Sequence, residues 1–187
     1  EGTLNVLTAA RSADVARIIT VTSADIYGIV SPEDLPLSED APFRPVSPYS
    51  ASKASADLLA LQAYLGHKQE VIRVRAFNHL GPGQSDKFVC SALAARIANN
   101  ELYGVSKLGV GNLAAKRDFT DVRDVVRAYR LLALTGKAGE AYNVCSGVSI
   151  SIERIASELL ALSTMPMELV VDPDLLRPID LPDLRGN

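Results

Sequence analysis

The stretch Ser47-Pro48-Tyr49-Ser50-Ala51-Ser52-Lys53 reads as the start of a helix. Ser47 suits the N-cap and Pro48 the first helical position. The Ala- and Leu-rich run from Ala51 to Leu65 continues the helix. Tyr49 and Lys53 then share one face, a turn apart. An ammonium beside a phenol favours the phenolate. That makes a tyrosine usable as an acid or base near neutral pH. Taken alone the spacing is common, and an exposed Tyr and Lys near a helix start is the default reading.

Two flanking segments change that reading. Arg17-Ile18-Ile19-Thr20-Val21-Thr22-Ser23 has the pattern of a buried strand ending in hydroxyls, followed by Ala24-Asp25-Ile26-Tyr27-Gly28. Val71-Ile72-Arg73-Val74-Arg75-Ala76-Phe77-Asn78 is a second strand, ending at His79-Leu80-Gly81-Pro82-Gly83. The Tyr/Lys helix lies between them. In an open α/β sheet, ligands bind outside the carboxyl ends of the strands, where Ser23 and Asn78 fall.

These segments, with Phe77-Asn78-His79-Leu80-Gly81-Pro82-Gly83-Gln84, Arg117-Asp118-Phe119-Thr120-Asp121-Val122, Tyr142-Asn143-Val144-Cys145-Ser146-Gly147 and Leu176-Arg177-Pro178, occur in order along nearly the whole chain. In them the sequence resembles the extended short-chain dehydrogenase/reductase family of nucleotide-sugar epimerases, dehydratases and reductases. The resemblance implies an α/β fold: a partial Rossmann-like, doubly wound parallel sheet lacking its first βαβ units, with a small C-terminal substrate lobe. Residues 1–83 and 116–147 would belong to the dinucleotide-binding domain, and residues 84–115 and 148–187 to the nucleotide-sugar lobe.

Roles follow from the chemistry and the resemblance together. Hydride addition to a ketone leaves an alkoxide that needs a proton, and Tyr49 can give it. Ser23 can donate a hydrogen bond to the reacting oxygen; the competing role is a strand-end hydroxyl capping local backbone. It lies 26 residues before Tyr49, as in the family's layout. By resemblance Lys53 binds the nicotinamide ribose, and Thr22, Tyr49, Phe77 and Leu80 join it in the cofactor site for NADP or NAD. Asn78, Asn112, Arg117 and Arg177, with Ser23, form the expected substrate set. Asn78 before a Gly-Pro turn is also ordinary turn chemistry. Arg117 and Arg177 suit a diphosphate through the planar guanidinium fork, or are surface ion-pair residues, Arg117 having Asp118 beside it.

Asp25 stands with Ser23, Tyr49 and Lys53 in the catalytic set. The dehydratases that this chain resembles carry an acid two residues before the position of Tyr27, helped by a polar group one position earlier. Here those positions are Asp25 and Ala24. Ala24 donates nothing and Asp25 is one methylene shorter than the usual Glu, which argues for reduction or epimerisation over dehydration. Other segments tilt the resemblance toward the branch that reduces the 4-keto group of GDP-linked 6-deoxyhexoses, the step that yields GDP-D-rhamnose. A 4-epimerase and a non-catalytic sugar-nucleotide binder are the alternatives.

Composition sets the outer bounds. The 187 residues are 48% apolar with a net charge of −3, enough for a core and no electrostatic case for nucleic acid or a polyanionic membrane surface. No apolar run is long enough to span a bilayer. Cys90 and Cys145 lack metal-ligand spacing and suit reduced, buried thiols of a cytoplasmic enzyme. With His67 and His79 the only histidines, a His-based metal site is not expected.

The first residues, Glu1 to Arg11, read as a helix already under way, with no preceding strand and Gly-rich turn for a dinucleotide pyrophosphate. Gly109-Val110-Gly111-Asn112-Leu113-Ala114 matches G-x-G-x-x-A but has no helix after it and reads as a loop. The chain is therefore expected to be a fragment. The Pro-rich, acidic run Ser31 to Pro48 is expected as a long loop over the site's mouth or a solvated connector. Helices are expected within 84–100, over 121–134 with Thr120 as cap, and over 152–162. Short strands are expected within 101–115 and over 141–145 and 168–172. Asp121 and Asp124 suit the positive helix end and are structural by default. Dimerisation is implied by the resemblance, through the helix around Ala54 to Leu65 and the first helix.

Overall fold

The computed structural model describes residues 1–176 and 180–187. Its main sheet holds three parallel strands in the order β1 (Ile18–Ser23), β2 (Val71–Ala76) and β6 (Ala141–Val144). Successive residues of a strand point to opposite faces. Val71 accordingly packs with Leu7, Ala60 and Ala63 of α1 (Gly2–Ser12) and α2 (Pro48–His67). Its neighbour Ile72 packs with Val74, Val125 and Val144, and α4 (Val122–Thr135) covers that face. Helices on both faces of a parallel sheet make the doubly wound arrangement expected from the motifs.

The α2 start is built by the residues that announced it. Ser47 and Ser50 form a reciprocal capping box, with Ser47 Oγ accepting from the Ser50 amide at 3.1 Å and Ser50 Oγ accepting from the Ser47 amide at 3.0 Å. The helix buries Ser50, Ala54, Asp57, Ala60 and Ala63 along one stripe.

A second sheet runs β3 (Asn78–Leu80), β5 (Lys116–Asp121) and β7 (Ser149–Ser151), with β9 (Asp183–Leu184) also on β5. Here the structure corrects one expectation and adds a strand. The strand expected to run unbroken to Asn78 stops at Ala76, and Asn78 opens a strand in the other sheet. Phe77 is the joint: its amide donates to the Val144 carbonyl, while its ring is buried with Tyr27 and Leu184. The charged run beginning at Lys116 is a strand by its pairing with β3, β7 and β9, although its composition gives no strand signal, and its Asp118 is buried among backbone donors rather than paired with Arg117.

The remaining lobe joins α3 (Val89–Tyr103), β4 (Lys107–Val110), α5 (Ile152–Leu160) and β8 (Glu168–Val171) around Leu93, Ile97, Leu108 and Ile152. β4 and β8 pair in parallel. The Gly109–Ala114 stretch therefore begins in a strand and opens no helix.

Two smaller expectations also change. The α4 cap is Asp121, whose carboxylate accepts from the Arg123 amide at 2.8 Å, while Thr120 Oγ1 is buried with no hydrogen-bond partner among the described residues. Thr120 lies one residue before the N-cap, so its hydroxyl is out of register with the first helical amides. Residues 31–48 form the expected long loop, largely exposed, but it is anchored at its middle. Leu37 is 2% exposed, its amide donates to Arg185 O at 2.9 Å, and its carbonyl accepts from Asn187 N at 3.0 Å. Glu39 Oε1 accepts from the Asn143 amide at 2.7 Å, fastening the loop to β6. Cys90 and Cys145 are both unpaired thiols and only half-buried.

Candidate active site and adjoining cavity

β1 ends at Ser23, and its hydroxyl accepts from the Asp25 amide at 3.2 Å, capping a 3-10 turn over Ala24–Tyr27. That turn is held by close contact with the loop behind it. The Arg44 amide donates to Ile26 O at 2.9 Å, and Gly28 closes the turn with φ +67°. A Cβ on Gly28 would fall 1.8 Å from the Arg44 carbonyl oxygen. Accepting one N–H leaves the Ser23 proton available to donate elsewhere.

In a parallel sheet the connection after a strand returns the next helix from the strand's carboxyl end. The first turn of α2, carrying Tyr49, therefore lies at the same edge as Ser23, and α2 packs against β1, β2 and the 3-10 turn. Tyr49 is 55% exposed. Lys53 Nζ stands 5.8 Å from the centroid of its ring, half-buried. That is within the range of a cation–π contact, so the ammonium and the ring are neighbours on one helix face.

Tyr27 contrasts with Tyr49. Its ring is wholly buried, and burial pushes the phenol above its ordinary value despite the Arg75 guanidinium, which pulls it down. It remains a neutral donor, 2.7 Å from Asn143 Oδ1, and accepts from Arg75 Nη1 at 3.0 Å.

The expected cofactor residues divide. Thr22 is buried and its hydroxyl donates to Val74 O at 3.0 Å. The Phe77 ring is in the core, 6.3 Å from that of Tyr27. Both side chains are turned into the protein, so what these residues offer at the sheet edge is main chain. Leu80 is half-buried at the end of β3, opposite Asp121. Among the described residues no Gly-rich strand-to-helix turn is present to cradle a pyrophosphate.

Asn78, Asn112 and Arg117 come together on one cavity of about 390 Å³. Leu93, Val110 and Phe119 give it apolar walls, and Gln84, Arg96 and Asp180 further polar groups. Its volume is within the range of small-molecule sites. The cavity adjoins the sheet edge: Ser23 registers with Ala76, and Asn78 lies two residues beyond, at most about 7 Å of extended chain. Arg117 is held in place. Its Nη2 meets Asp180 Oδ1 at 2.5 Å and its Nη1 donates to Leu181 O at 2.6 Å and Lys116 O at 2.7 Å. Asn112 Nδ2 donates to the other Asp180 oxygen at 2.9 Å. Arg177 lies outside the described residues.

Two participants escaped the sequence reading. Asp180 follows the Pro-rich run and has no pattern to mark it. Arg96 had a signal: it falls three residues after Leu93 and seven after Val89, on the apolar stripe of α3. A cation on such a stripe faces something other than bulk water.

A parallel sheet covered by helices on both faces, with Ser, Tyr and Lys at its carboxyl edge, defines the Rossmann-like short-chain dehydrogenase/reductase class. Within that class the chain belongs to the GDP-mannose 4,6 dehydratase family, whose model matches residues 1–186. It is 37% identical over 188 residues to the GDP-6-deoxy-D-mannose reductase of Pseudomonas aeruginosa, covering all of this chain and 62% of the relative. The structure of RMD from Pseudomonas aeruginosa complexed with NADPH superposes with a TM-score of 0.90 at 36% identity, over 100% of this chain and 62% of that one. The dTDP-glucose 4,6-dehydratase of Bacillus anthracis in complex with NAD gives a TM-score of 0.84 at 27% identity, over 100% and 57%. The chain thus spans less than two thirds of the length of these relatives.

Proposed function

We propose that the whole protein reduces the 4-keto group of a GDP-linked 4-keto-6-deoxyhexose with NADPH or NADH, in the direction that yields GDP-D-rhamnose. The observation that carries this reading is the Lys53 ammonium over the Tyr49 ring, at the same sheet edge as Ser23. The likeness to the Pseudomonas aeruginosa reductase supports the choice of substrate.

Tyr49 and Lys53 would hold the nicotinamide end of the cofactor, with Thr22, Phe77 and Leu80 contributing at the edge. When bound, the reduced nicotinamide supplies a hydride to the carbonyl carbon. The chain's own residues handle the proton. As the C4 carbonyl becomes an alkoxide, Ser23 donates a hydrogen bond to its oxygen, its lone pair already fixed by the Asp25 amide. Tyr49 transfers its phenolic proton to the alkoxide, giving the alcohol. Lys53 stabilises the phenolate left behind until solvent reprotonates it; Tyr49 is open enough for that exchange.

The cavity bounded by Asn78, Asn112 and Arg117 is the proposed nucleotide-sugar site, within a substrate lobe of residues 84–115 and 148–187 set against a dinucleotide-binding part of residues 1–83 and 116–147. Ala24 is buried and carries no proton to give, which favours reduction over water elimination. A second copy of the protein is the proposed partner, through the outer faces of α1 and α2, where Val6, Leu58 and Leu65 are exposed. The two unpaired thiols suit the cytoplasm as the proposed compartment. No helix of the described residues is long and apolar enough to cross a membrane.

The test is consumption of NADPH by the whole protein given GDP-4-keto-6-deoxy-D-mannose. Tyr49→Phe should lower kcat by roughly 10²- to 10⁴-fold, with GDP affinity unchanged. No reduction of this ketone, alongside interconversion of nucleotide-hexose epimers with retained NAD, would replace the reductase with an epimerase.

A further inference from the structure

Arg75 of β2 and Asn143 of β6 are register partners in parallel strands, so their side chains leave the sheet on one face. Both reach the same two segments. Arg75 Nη1 donates to the Tyr27 hydroxyl at 3.0 Å and to Glu39 O at 2.6 Å. Asn143 Oδ1 accepts from the Tyr27 hydroxyl at 2.7 Å, its Nδ2 donates to Leu37 O at 2.9 Å, and its amide donates to Glu39 Oε1 at 2.7 Å. Tyr27 ends the turn that Ser23 caps, and Leu37 and Glu39 lie in the loop that leads to the Ser47 cap of α2.

The polarity of this chain of bonds is fixed at both ends. A guanidinium only donates, so the Tyr27 oxygen accepts from Arg75 and gives its own proton to Asn143 Oδ1. A carbonyl only accepts, so the Asn143 NH₂ group faces Leu37 O. One orientation of the amide satisfies both neighbours, and donors in series strengthen one another. The turn moves as a body, because Ala24, Ile26 and Tyr27 are all buried. Pinning the Tyr27 hydroxyl therefore pins the far end of the turn, where Ser23 Oγ accepts from the Asp25 amide. Arg75 is also tied to Asp57, so its removal strands a buried charge. Asn143 makes the same bridge as a neutral group.

Resting on the reading of Ser23 and Tyr49 as catalytic partners, we propose that Asn143 is a positioning residue. By joining the turn after Ser23 to the loop before α2, it sets Ser23 Oγ where it meets the oxygen that Tyr49 protonates. Asn143 does not line the cavity, so its effect falls on turnover and not on binding.

The test is a double-mutant cycle on the whole protein, following NADPH oxidation with GDP-4-keto-6-deoxy-D-mannose. Asn143→Ala should lower kcat about 10- to 100-fold, as a small misplacement of a catalytic group does. KM for the ketone and Kd for GDP should stay native. In a Ser23→Ala background the same substitution should change kcat by no more than about twofold, since no Ser23 hydroxyl remains to be positioned. Tyr27→Phe removes the hydroxyl through which Asn143 acts and should repeat both results; it decides the matter if circular dichroism shows Asn143→Ala unfolded. An equal fold-loss with and without Ser23, or a loss confined to KM, marks a merely structural role and overturns the proposal. A native kcat in either folded variant overturns it as well. A native protein that does not reduce the ketone overturns the functional reading and this inference with it, whereas the other adverse outcomes overturn the inference alone.

Discussion

Asp57 of α2 and Arg75 of β2 meet 3.0 Å apart, the carboxylate wholly buried and the guanidinium nearly so. Arg73 reaches the same carboxylate at 2.6 Å. From this pair the polar contacts run on: Arg75 to the Tyr27 hydroxyl and Glu39 O, Tyr27 to Asn143. The network ties the helix that carries Tyr49 and Lys53 to the turn that follows Ser23. It is the physical means by which a helix face and a strand tip keep one geometry.

Removing one partner from a buried pair leaves an uncompensated charge, which costs about 3–5 kcal/mol. Asp57→Ala should therefore destabilise the chain by that order in urea unfolding. The loss should exceed that of Asp124→Ala, whose partner Arg127 is on the exposed face of α4. Equal, small losses for the two variants would deny the buried network its role.

Asp118 offers a second test inside the second sheet. It is fully buried, and its oxygens accept from Ser146 N at 2.7 Å, Ser146 Oγ at 2.6 Å, Gly147 N at 2.9 Å and Gly186 N at 3.3 Å. Asp118→Asn sets an NH₂ group against two of these donors. Each buried donor left unmade costs about 1–3 kcal/mol. Amide exchange at Gly147 or Gly186 should accelerate ahead of exchange in β1 and β2. Unchanged exchange at both positions would contradict the arrangement.

The chain should lose stability on the alkaline side, and Cys145 contributes to it. Burial, with the Asp118 charge nearby, pushes its thiol up to about 11. Burial also raises Cys90, Tyr27 and Tyr129. A group whose folded value is raised binds its proton more tightly folded than unfolded. Its contribution is complete below the unfolded value, about 8.5 for a thiol, and is lost as pH rises through the folded value. For Cys145 that window runs from about 8.5 to about 11. The thermal midpoint should hold from neutral pH to about 8.5 and then fall, and Cys145→Ser should make the fall shallower. A decline of the same slope in both proteins would exclude Cys145 as a contributor.

Much of the edge that carries Ser23, Tyr49 and Lys53 was legible in the sequence because its signals are local. Ser47, Pro48 and Ser50 specify a helix start within four residues, and Tyr49 and Lys53 inherit their shared face from the helical repeat. The strand before Ser23 and the first six residues of the strand before Asn78 follow from β-branched runs. The cavity was half legible: Asn78, Asn112 and Arg117 stand in motifs, while Arg96 and Asp180 do not. Arg117 looked like an open clamp because nothing near it in sequence reveals Asp180, 63 positions away.

By itself, the sequence determined the order of α1 to α5 and of β1, β2, β4, β6 and β8, the capped start of α2 and the pairing of a phenol with an amine one turn later. These depend on periodicity and on groups a few bonds apart. Only the tertiary structure decided that Asp118 faces backbone amides rather than Arg117, that Leu37 is core within a surface loop, and that Arg117 is matched by Asp180. Such outcomes depend on which donors and acceptors the folded topology brings within about 3 Å, and residues far apart in the chain carry no local mark of that meeting.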